Sequence, residues 1–255
     1  MSSVVEILRG AASLVLFGVF GFGALLISPL MFLLRSPARC QPVVRTAWRL
    51  IVFLFEATRL IKVDRTGLHP VCGAVLAANH PSLIDVVLIC AAVPRTLYVA
   101  KRSLKGNPIL SAIVRHTALP DDATLPEIAA SYLESGWNVL VFPEGTRSPR
   151  TGGLQPLRRG AAQLSLRTGA PIVCTRIGFS RRLLAKRQPA WDMGAATVEV
   201  SLAFGGRLDP PVSARNLRAA AAEMTARLRH ELQSGPAREK ITPPPNWPRN
   251  FDILH

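Results

Sequence analysis

The segment Ala11–Leu34 contains no charged residue and is the longest apolar run of the chain. As a helix, a run of this length can cross the hydrocarbon core of a bilayer. A cleaved signal peptide would have a shorter apolar run and a small-residue cleavage site, whereas this one continues directly into Arg35 and Pro37. The segment therefore predicts a retained membrane-anchoring helix at the start of the chain.

Two arrangements of this helix fit the sequence. Pro29 and the nearby glycines allow a kinked, half-inserted helix as well as a complete span. Arginines are more frequent after the run than before it, so the positive-inside rule places the rest of the chain on the cytoplasmic side, which we expect to be that of a bacterial inner membrane. The next stretch, Val43–Ala57, is apolar but too short to span, and predicts either an interfacial helix or a core helix.

The whole chain is both basic and hydrophobic. Its formal net charge is +15, and 49% of its residues are hydrophobic. Nucleic-acid binders are basic but usually polar, and the arginines here are not interleaved with aromatic residues that could stack on bases. The composition therefore favours membrane lipids over nucleic acid as a partner.

The four cysteines indicate no metal site and no disulfide framework. They are far apart in sequence, form no CxxC pair and have no nearby pair of histidines. We interpret them as reduced, apolar core residues, which agrees with a domain on the cytoplasmic side of a membrane. These residues are Cys40, Cys72, Cys90 and Cys174.

Beyond Arg59, short apolar runs alternate with amphipathic stretches, which is typical of an α/β domain. Several of the runs are continuously apolar, as expected for strands with helices on both faces, so the predicted fold is a mixed, largely parallel sheet covered by helices. The predicted strands are Leu60–Val63, Gly73–Ala78, Thr96–Ala100, Asn138–Phe142, Ile172–Ile177 and Thr197–Ala203. The predicted helices are Ser82–Ala92, Leu125–Glu134, Leu157–Arg167 and Leu217–Gln233.

These patterns predict three parts in the chain. Residues 1–58 would form the membrane anchor and the second apolar helix, and residues 59–235 the α/β domain. Residues 236–255 are rich in proline and predict an irregular C-terminal tail.

A first polar cluster, Asn79–Asp85 (NHPSLID), follows a predicted strand, where open α/β sheets bind ligands. Pro81 suits the first position of a helix, which would leave His80 at the cap and Asp85 just over one turn later. A carboxylate bonded to one imidazole nitrogen fixes the tautomer, so that the other nitrogen can take a proton from a hydroxyl. The spacing predicts a base and its orienting partner, although taken alone such a spacing also arises by chance.

A second polar cluster, Phe142–Ser148 (FPEGTRS), follows another predicted strand. Gly145 lets backbone amides approach a ligand closely, and Arg147 offers a planar fork of donors that matches a phosphate. The cluster predicts an anion-holding loop, and its simpler interpretation is a turn with a surface arginine.

Together, NHxxxxD and FPEGTRS in an α/β pattern resemble the glycerolipid acyltransferase family, which includes the 1-acyl-glycerol-3-phosphate acyltransferases. The resemblance covers about Leu60 to Phe204. It implies His80 as general base with Asp85 as its partner, and a fatty acyl group moved from acyl-CoA or acyl-carrier protein to a lysophospholipid hydroxyl, with no cofactor and no metal. By the same resemblance the substrate-binding residues are Asn79, Lys101, Glu144, Gly145, Thr146 and Arg147.

The chain departs from the family between the two motifs. Where the family usually has an arginine that contacts the acceptor phosphate, this sequence has HTALPDD, with Asp121 and Asp122. Two carboxylates near a phosphate are unfavourable unless Lys101, Arg115 or another cation compensates. An ornithine-type lysolipid or a glycolipid precursor is therefore an alternative acceptor to 1-acyl-glycerol-3-phosphate.

Other interpretations of the same residues are weaker. Ser82 lacks the G-x-S-x-G context of a nucleophile, so we expect direct attack by the acceptor hydroxyl, with backbone amides such as those of the helix start after His80 holding the oxyanion. A catalytically silent lipid-binding protein would use the same pocket. The remaining basic residues predict a solvated face or contact with anionic headgroups. They are Arg158, Arg159, Arg181, Arg182, Lys186 and Arg187.

Overall fold

The computed structural model describes residues 2–34, 36–101, 104, 106, 111–148, 153–213 and 215–234. The predicted C-terminal tail, residues 236–255, lies outside the described residues. The helices are α1 Ser2–Leu34, α2 Pro37–Ala57, α3 Asp85–Ala92, α4 Ser111–Thr117, α5 Leu125–Glu134, α6 Gly160–Thr168 and α7 Leu217–Gln233. The strands are β1 Ile61–Gly67, β2 Val75–Ala78, β3 Thr96–Ala100, β4 Ala118–Pro120, β5 Asn138–Val141, β6 Ile172–Phe179 and β7 Val198–Leu208.

The described strands form one seven-stranded sheet in the order β1-β7-β6-β2-β5-β3-β4. Neighbouring strands are parallel, except that β6 and β7 are antiparallel. All four residues of the central strand β2 are buried, because helices cover both faces of the sheet. The predicted mixed, largely parallel sheet is confirmed.

Helices α1 to α4 cover one face of the sheet, and α5, α6 and α7 cover the other. On the first face, Trp48 of α2 and Leu88 of α3 belong to one hydrophobic core together with Leu76 of β2. On the second face, Leu164 of α6 and Met224 of α7 belong to a second core. The sheet thus separates α1 to α4 from the other three helices.

Helix α1 is long and apolar enough to cross a membrane, and only 22% of its Val4–Ile27 segment is buried within the protein. Both ends of the helix nevertheless contact the α/β domain. Near its start, the Ser13 hydroxyl donates to the Ala190 carbonyl over 2.8 Å. Near its end, the Phe32 ring packs edge-on against His116, with 4.8 Å between ring centroids. These contacts hold α1 along the α/β domain.

Helix α2 combines the two interpretations that the sequence left open. One side of the helix, which includes Val44 and Phe55, is buried in the core. Leu50 and Phe53 on the other side are exposed large apolar side chains. The helix is therefore a core helix with an apolar outer surface suited to lipid.

The bounds of β3, α5 and α7 agree with the sequence prediction, but α3 was predicted wrongly. It begins at Asp85 and not at Ser82. The Asp85 carboxylate accepts a hydrogen bond from the Ser82 amide over 2.7 Å, which stabilises a turn over residues 82–84 in place of a helical turn. The sequence prediction also missed α4 and β4, since elements of seven and three residues are too short to show a period.

Candidate active site

The two polar clusters meet at one edge of the sheet. Strand β2 lies between β5 and β6 and is parallel to both, with Ala77 beside Val141 of β5. The carboxyl ends of these strands therefore point to the same edge. The cluster Asn79–Asp85 follows β2 and the cluster Phe142–Ser148 follows β5, so neighbouring strands present both motifs together.

His80 and Asp85 form the predicted pair. The His80 Nδ1 and Asp85 Oδ2 atoms are 2.8 Å apart, and the Asp85 side chain is fully buried while that of His80 is 20% exposed. The Phe142 ring stacks on the imidazole with 4.1 Å between centroids. Because Nδ1 is occupied by the carboxylate, Nε2 is the nitrogen left to meet a substrate.

The charge state of Asp85 follows from its burial. Burial raises the pKa of Asp85 to about 6, while the hydrogen bond from His80 acts in the opposite direction. The negative charge of Glu144 adds a smaller upward effect on this pKa. At neutral pH Asp85 is therefore a carboxylate, which can hold the His80 tautomer and stabilise an imidazolium.

Glu144 joins the two motif loops. Its side chain is only 3% exposed, and Oε1 accepts a hydrogen bond of 2.9 Å from the His80 amide. Both carboxylate oxygens lie 3.0 Å from the Ser148 hydroxyl, and Oε2 also accepts from the Gln155 amide over 3.0 Å. The Ser148 amide in turn donates to the His80 carbonyl over 2.7 Å. Glu144 thus positions the His80 backbone, and its predicted contact with an acceptor stays a prediction.

The Gly145 turn and the Arg147 side chain are fixed by neighbouring segments. Gly145 has a φ of +66°, and a Cβ atom there would lie 2.8 Å from Arg158 Nε, so the position requires glycine. Nη1 of Arg147 donates to the carbonyls of Leu184 and Ala185 over 3.1 and 3.4 Å. Arg147 is therefore anchored at one nitrogen, and a phosphate would have to approach the rest of its guanidinium.

The expected oxyanion amides at the start of the helix after His80 are occupied. The Ser82 amide donates to Asp85, and the Leu83 amide donates to the Leu184 carbonyl over 3.1 Å. Ser82 itself is fully buried, which agrees with its exclusion as a nucleophile. Among the described residues, no hydrogen-bond acceptor occupies the amides of Thr146 and Arg147 in the neighbouring loop.

Two further predicted substrate-binding residues are Asn79, which follows β2, and Lys101, which follows β3. The Asn79 side chain donates to the Ile177 carbonyl over 2.9 Å and accepts from the Ile177 amide over 2.8 Å, so it ties the end of β2 to β6. Lys101 is exposed at the carboxyl end of β3, which is parallel to β5 and β2, so it lies at the same edge of the sheet as the motif loops, with β5 between β3 and β2. Its contact with a substrate, like that of Asn79, stays a prediction.

A cavity of about 620 Å³ borders the two motif loops. Asn79, Pro81 and Ser148 line it from the motif side, and Arg181 and Arg182 line it from the segment after β6. Sequence reasoning predicted a solvated face or contact with anionic headgroups for these two arginines, and did not predict that they border the cavity beside the motifs. Their position could have been predicted, because Arg181 and Arg182 follow the carboxyl end of β6, which is parallel to β2.

The cysteines lie away from this chemistry. All four thiols are free, and burial raises the pKa of Cys174 to about 12 and that of Cys90 further still. Neither is a thiolate at neutral pH, so neither is a nucleophile. Within the described part of the chain, no group of three or more His, Cys, Asp and Glu side chains could hold a metal ion.

Known proteins share this sequence pattern. Residues 59–178 match the family model described as Acyltransferase. The 1-acyl-sn-glycerol-3-phosphate acyltransferase of Cocos nucifera is 33% identical over 110 residues, which cover 39% of this chain and 35% of that protein. The 1-acyl-sn-glycerol-3-phosphate acyltransferase alpha of Bos taurus is 28% identical over 68% of this chain and 62% of its own length. The chain thus spans less than two thirds of the length of both relatives.

Two other matches, a relative from a bacterium and a solved structure, are aligned with this chain over more than two thirds of their own length. The 1-acyl-sn-glycerol-3-phosphate acyltransferase of Haemophilus influenzae is 28% identical over 65% of this chain and 71% of that protein. The crystal structure of the 1-acyl-sn-glycerophosphate (LPA) acyltransferase PlsC from Thermotoga maritima matches with a TM-score of 0.65 and 23% identity, over 92% of this chain and 98% of that one. At this identity the structural likeness shows the fold alone.

A histidine oriented by a buried carboxylate, at the carboxyl end of a parallel strand, has the geometry of a general base. The matched segment contains both motif loops, from β1 to β6. Residues 59–178 are therefore similar to the acyltransferase family in the segment that carries both motifs.

Proposed function

We propose that the chain is a lysolipid acyltransferase that moves a fatty acyl group from a thioester donor to the hydroxyl of a lysophospholipid. The hydrogen bond of 2.8 Å between His80 Nδ1 and Asp85 Oδ2 carries this proposal, because it gives the acyltransferase domain an oriented general base. The names of the relatives support 1-acyl-glycerol-3-phosphate as the first acceptor to test. The donor is acyl-CoA or acyl-carrier protein, and the site faces the cytoplasm.

The reaction needs one base and no covalent enzyme intermediate. Nε2 of His80 takes the proton of the acceptor hydroxyl while the oxygen adds to the thioester carbonyl carbon. The buried carboxylate of Asp85 stabilises the resulting imidazolium. Collapse of the tetrahedral intermediate breaks the carbon–sulfur bond, and the departing thiolate takes the proton back from His80. The products are an ester and a free thiol.

Stabilising the oxyanion of that intermediate requires N–H donors that are not already hydrogen-bonded to another group. The Thr146 and Arg147 amides meet this condition among the described residues, whereas those of Ser82 and Leu83 do not. The Ser148–His80 hydrogen bond of 2.7 Å keeps the loop of Thr146 and Arg147 beside the base. These two amides are the proposed oxyanion donors.

A second acceptor class follows from the acidic pair after β4. Asp121 and Asp122 are exposed and follow a strand whose carboxyl end faces the same edge as the site. The Asp122 carboxylate already accepts from the Thr124 amide and hydroxyl over 3.0 and 2.6 Å. Two carboxylates here would favour a cationic or uncharged headgroup over a phosphate monoester, so an ornithine-type lysolipid or a glycolipid precursor is the alternative acceptor.

The full chain, incubated with acyl-CoA or acyl-carrier protein and a panel of these lysolipids, tests the proposal through release of free thiol. His80→Ala should lower turnover by at least about a hundredfold, as expected for loss of a general base. His230→Ala is the matched control, because this histidine is exposed on α7 across the sheet and its variant should keep full activity. A protein that only binds lipid would release no thiol in any arm, and the acceptor that gives product identifies the headgroup class.

A further inference from the structure

The segment between β6 and β7, residues 180–197, lies against the first turns of α1. We call it the β6–β7 loop. The Ser13 hydroxyl donates to the Ala190 carbonyl and Arg9 Nε donates to the Gly194 carbonyl, both over 2.8 Å. A Cβ atom on Gly10 would lie 2.7 Å from the Trp191 carbonyl oxygen, so backbone packs directly on backbone here. The loop and the start of the apolar helix form one rigid unit.

The same loop also holds both catalytic motifs. The Leu184 carbonyl accepts from the Leu83 amide of the first motif and from Arg147 Nη1 of the second, each over 3.1 Å. Leu184 is itself buried. The β6–β7 loop therefore connects its outer part directly to both motif segments.

The outer part of the β6–β7 loop exposes an aromatic ring and cations. The Trp191 side chain is 61% exposed, and Lys186 and Arg187 are exposed beside it in sequence. Asp192 is the one acidic residue of the loop, and its carboxylate accepts from Gln188 Nε2 over 3.1 Å. An exposed tryptophan next to uncompensated cations is the composition of a membrane–water interface.

This surface is continuous with the apolar outer side of α1. Ile7 and Leu8 are 69% and 64% exposed within one turn of Gly10, the residue on which Trp191 packs. Exposed apolar side chains that adjoin a basic segment match a bilayer whose acyl region lies beneath anionic headgroups. The surface of a protein partner does not impose this order, in which an apolar layer adjoins a basic one.

We propose that the β6–β7 loop is a membrane-contact surface, in which Trp191 enters the headgroup layer of an anionic bilayer and Lys186 and Arg187 bind its phosphates. Because Leu184 of the same loop holds both motifs, this contact would set the height and tilt of the motif edge relative to the bilayer. The membrane contact goes beyond the proposed function and does not depend on acyl transfer.

The first test uses tryptophan fluorescence of the full chain on phosphatidylcholine–phosphatidylglycerol vesicles that contain lipids brominated near the headgroup. Trp191→Phe should lose most of the lipid-dependent quenching. Trp137→Phe is the matched control, because Trp137 packs against Tyr132 in the core across the sheet and its variant should keep the quenching. Quenching that persists in Trp191→Phe overturns the proposal.

The second test measures vesicle partitioning of the double variant Lys186→Gln, Arg187→Gln. Each cation near an anionic surface contributes about fivefold in affinity, so the variant should bind anionic vesicles roughly thirtyfold more weakly at low salt. The control pair Arg215→Gln, Arg218→Gln removes the same charge from exposed positions at the start of α7 and should change binding less than about twofold. Equal effects of the two pairs would refute a local contact. Neither measurement uses thiol release, so failure here is distinguishable from failure of the proposed reaction.

Discussion

Replacing Asp85 by asparagine should separate catalysis from stability. In the native protein Oδ2 of Asp85 accepts from both the Ser82 amide and His80 Nδ1, at 2.7 and 2.8 Å. An asparagine side-chain oxygen in this position can accept both bonds, because an amide oxygen has two lone pairs. The neutral amide cannot stabilise the imidazolium that forms when His80 takes the proton of a hydroxyl, so the base is weakened.

The expected loss of activity is large. In a Ser–His–Asp triad the same substitution lowers kcat by about 10⁴-fold, and His80 here depends on the charge of its carboxylate in a similar way. The stability of the Asp85→Asn variant, in contrast, should stay the same or rise. Because burial raises the pKa of Asp85 from 3.8 to about 6, the ionised carboxylate costs about 3 kcal/mol at neutral pH, and asparagine removes that charge.

The assay combines thiol release with thermal unfolding of Asp85→Asn at pH 7. We expect kcat to fall by about three to four orders of magnitude while the melting temperature stays the same or rises. Asp209→Asn serves as the control, since this carboxylate is exposed in an ion pair with Arg207 and its loss should change neither quantity. A decrease of tenfold or less would contradict a catalytic role of the Asp85 charge, and a parallel fall in stability would show that Asp85 is needed for folding instead.

Four further results should follow from the same geometry. The value of kcat/KM should rise with pH through about 6 as Asp85 loses its proton, and this limb should be absent in Asp85→Asn. Since the folded pKa of Asp85 is raised above its unfolded value, its stabilising contribution is complete below pH 3.8 and decreases up to about pH 6, which denaturant titrations between these limits would detect. Glu144→Gln should lower the free energy of unfolding by about 2 kcal/mol, because the glutamine amide cannot accept all the bonds from His80, Ser148 and Gln155. The same variant should lower kcat and change the acceptor KM less. An unchanged kcat would contradict the positioning role of Glu144. Gly145→Ala should destabilise the fold by about 1–3 kcal/mol in the same unfolding assay, because of its positive φ and the clash with Arg158, whereas alanine at the open, negative-φ position Gly160 should not.

Local sequence was sufficient for the features that depend on nearby residues. The spacing of His80 and Asp85 keeps the two side chains within reach whether or not the residues between them are helical. The predicted contact therefore formed although α3 starts later than expected. The apolar length of α1 and the bounds of β3, α5 and α7 likewise follow from composition and period within single segments.

Other features of the site depend on residues that are far apart in the chain. The neighbouring positions of β2, β5 and β6 bring the two motifs together, and no period within a strand specifies which strand will lie beside it. The bonds of Glu144 to the His80 backbone, and of Asn79 to Ile177, exist only because of this order. Glu144 and Asn79, which were predicted to bind substrate, also hold the loops in place.

The chain thus determined by itself that an apolar helix precedes an α/β domain with a histidine–carboxylate pair, because each of these is a property of one short segment. Only the tertiary structure decided that both ends of α1 lie on the domain and that the β6–β7 loop joins α1 to the motifs. The physical reason is that such contacts are selected by packing and by satisfaction of buried polar groups across the whole molecule, which no local pattern records.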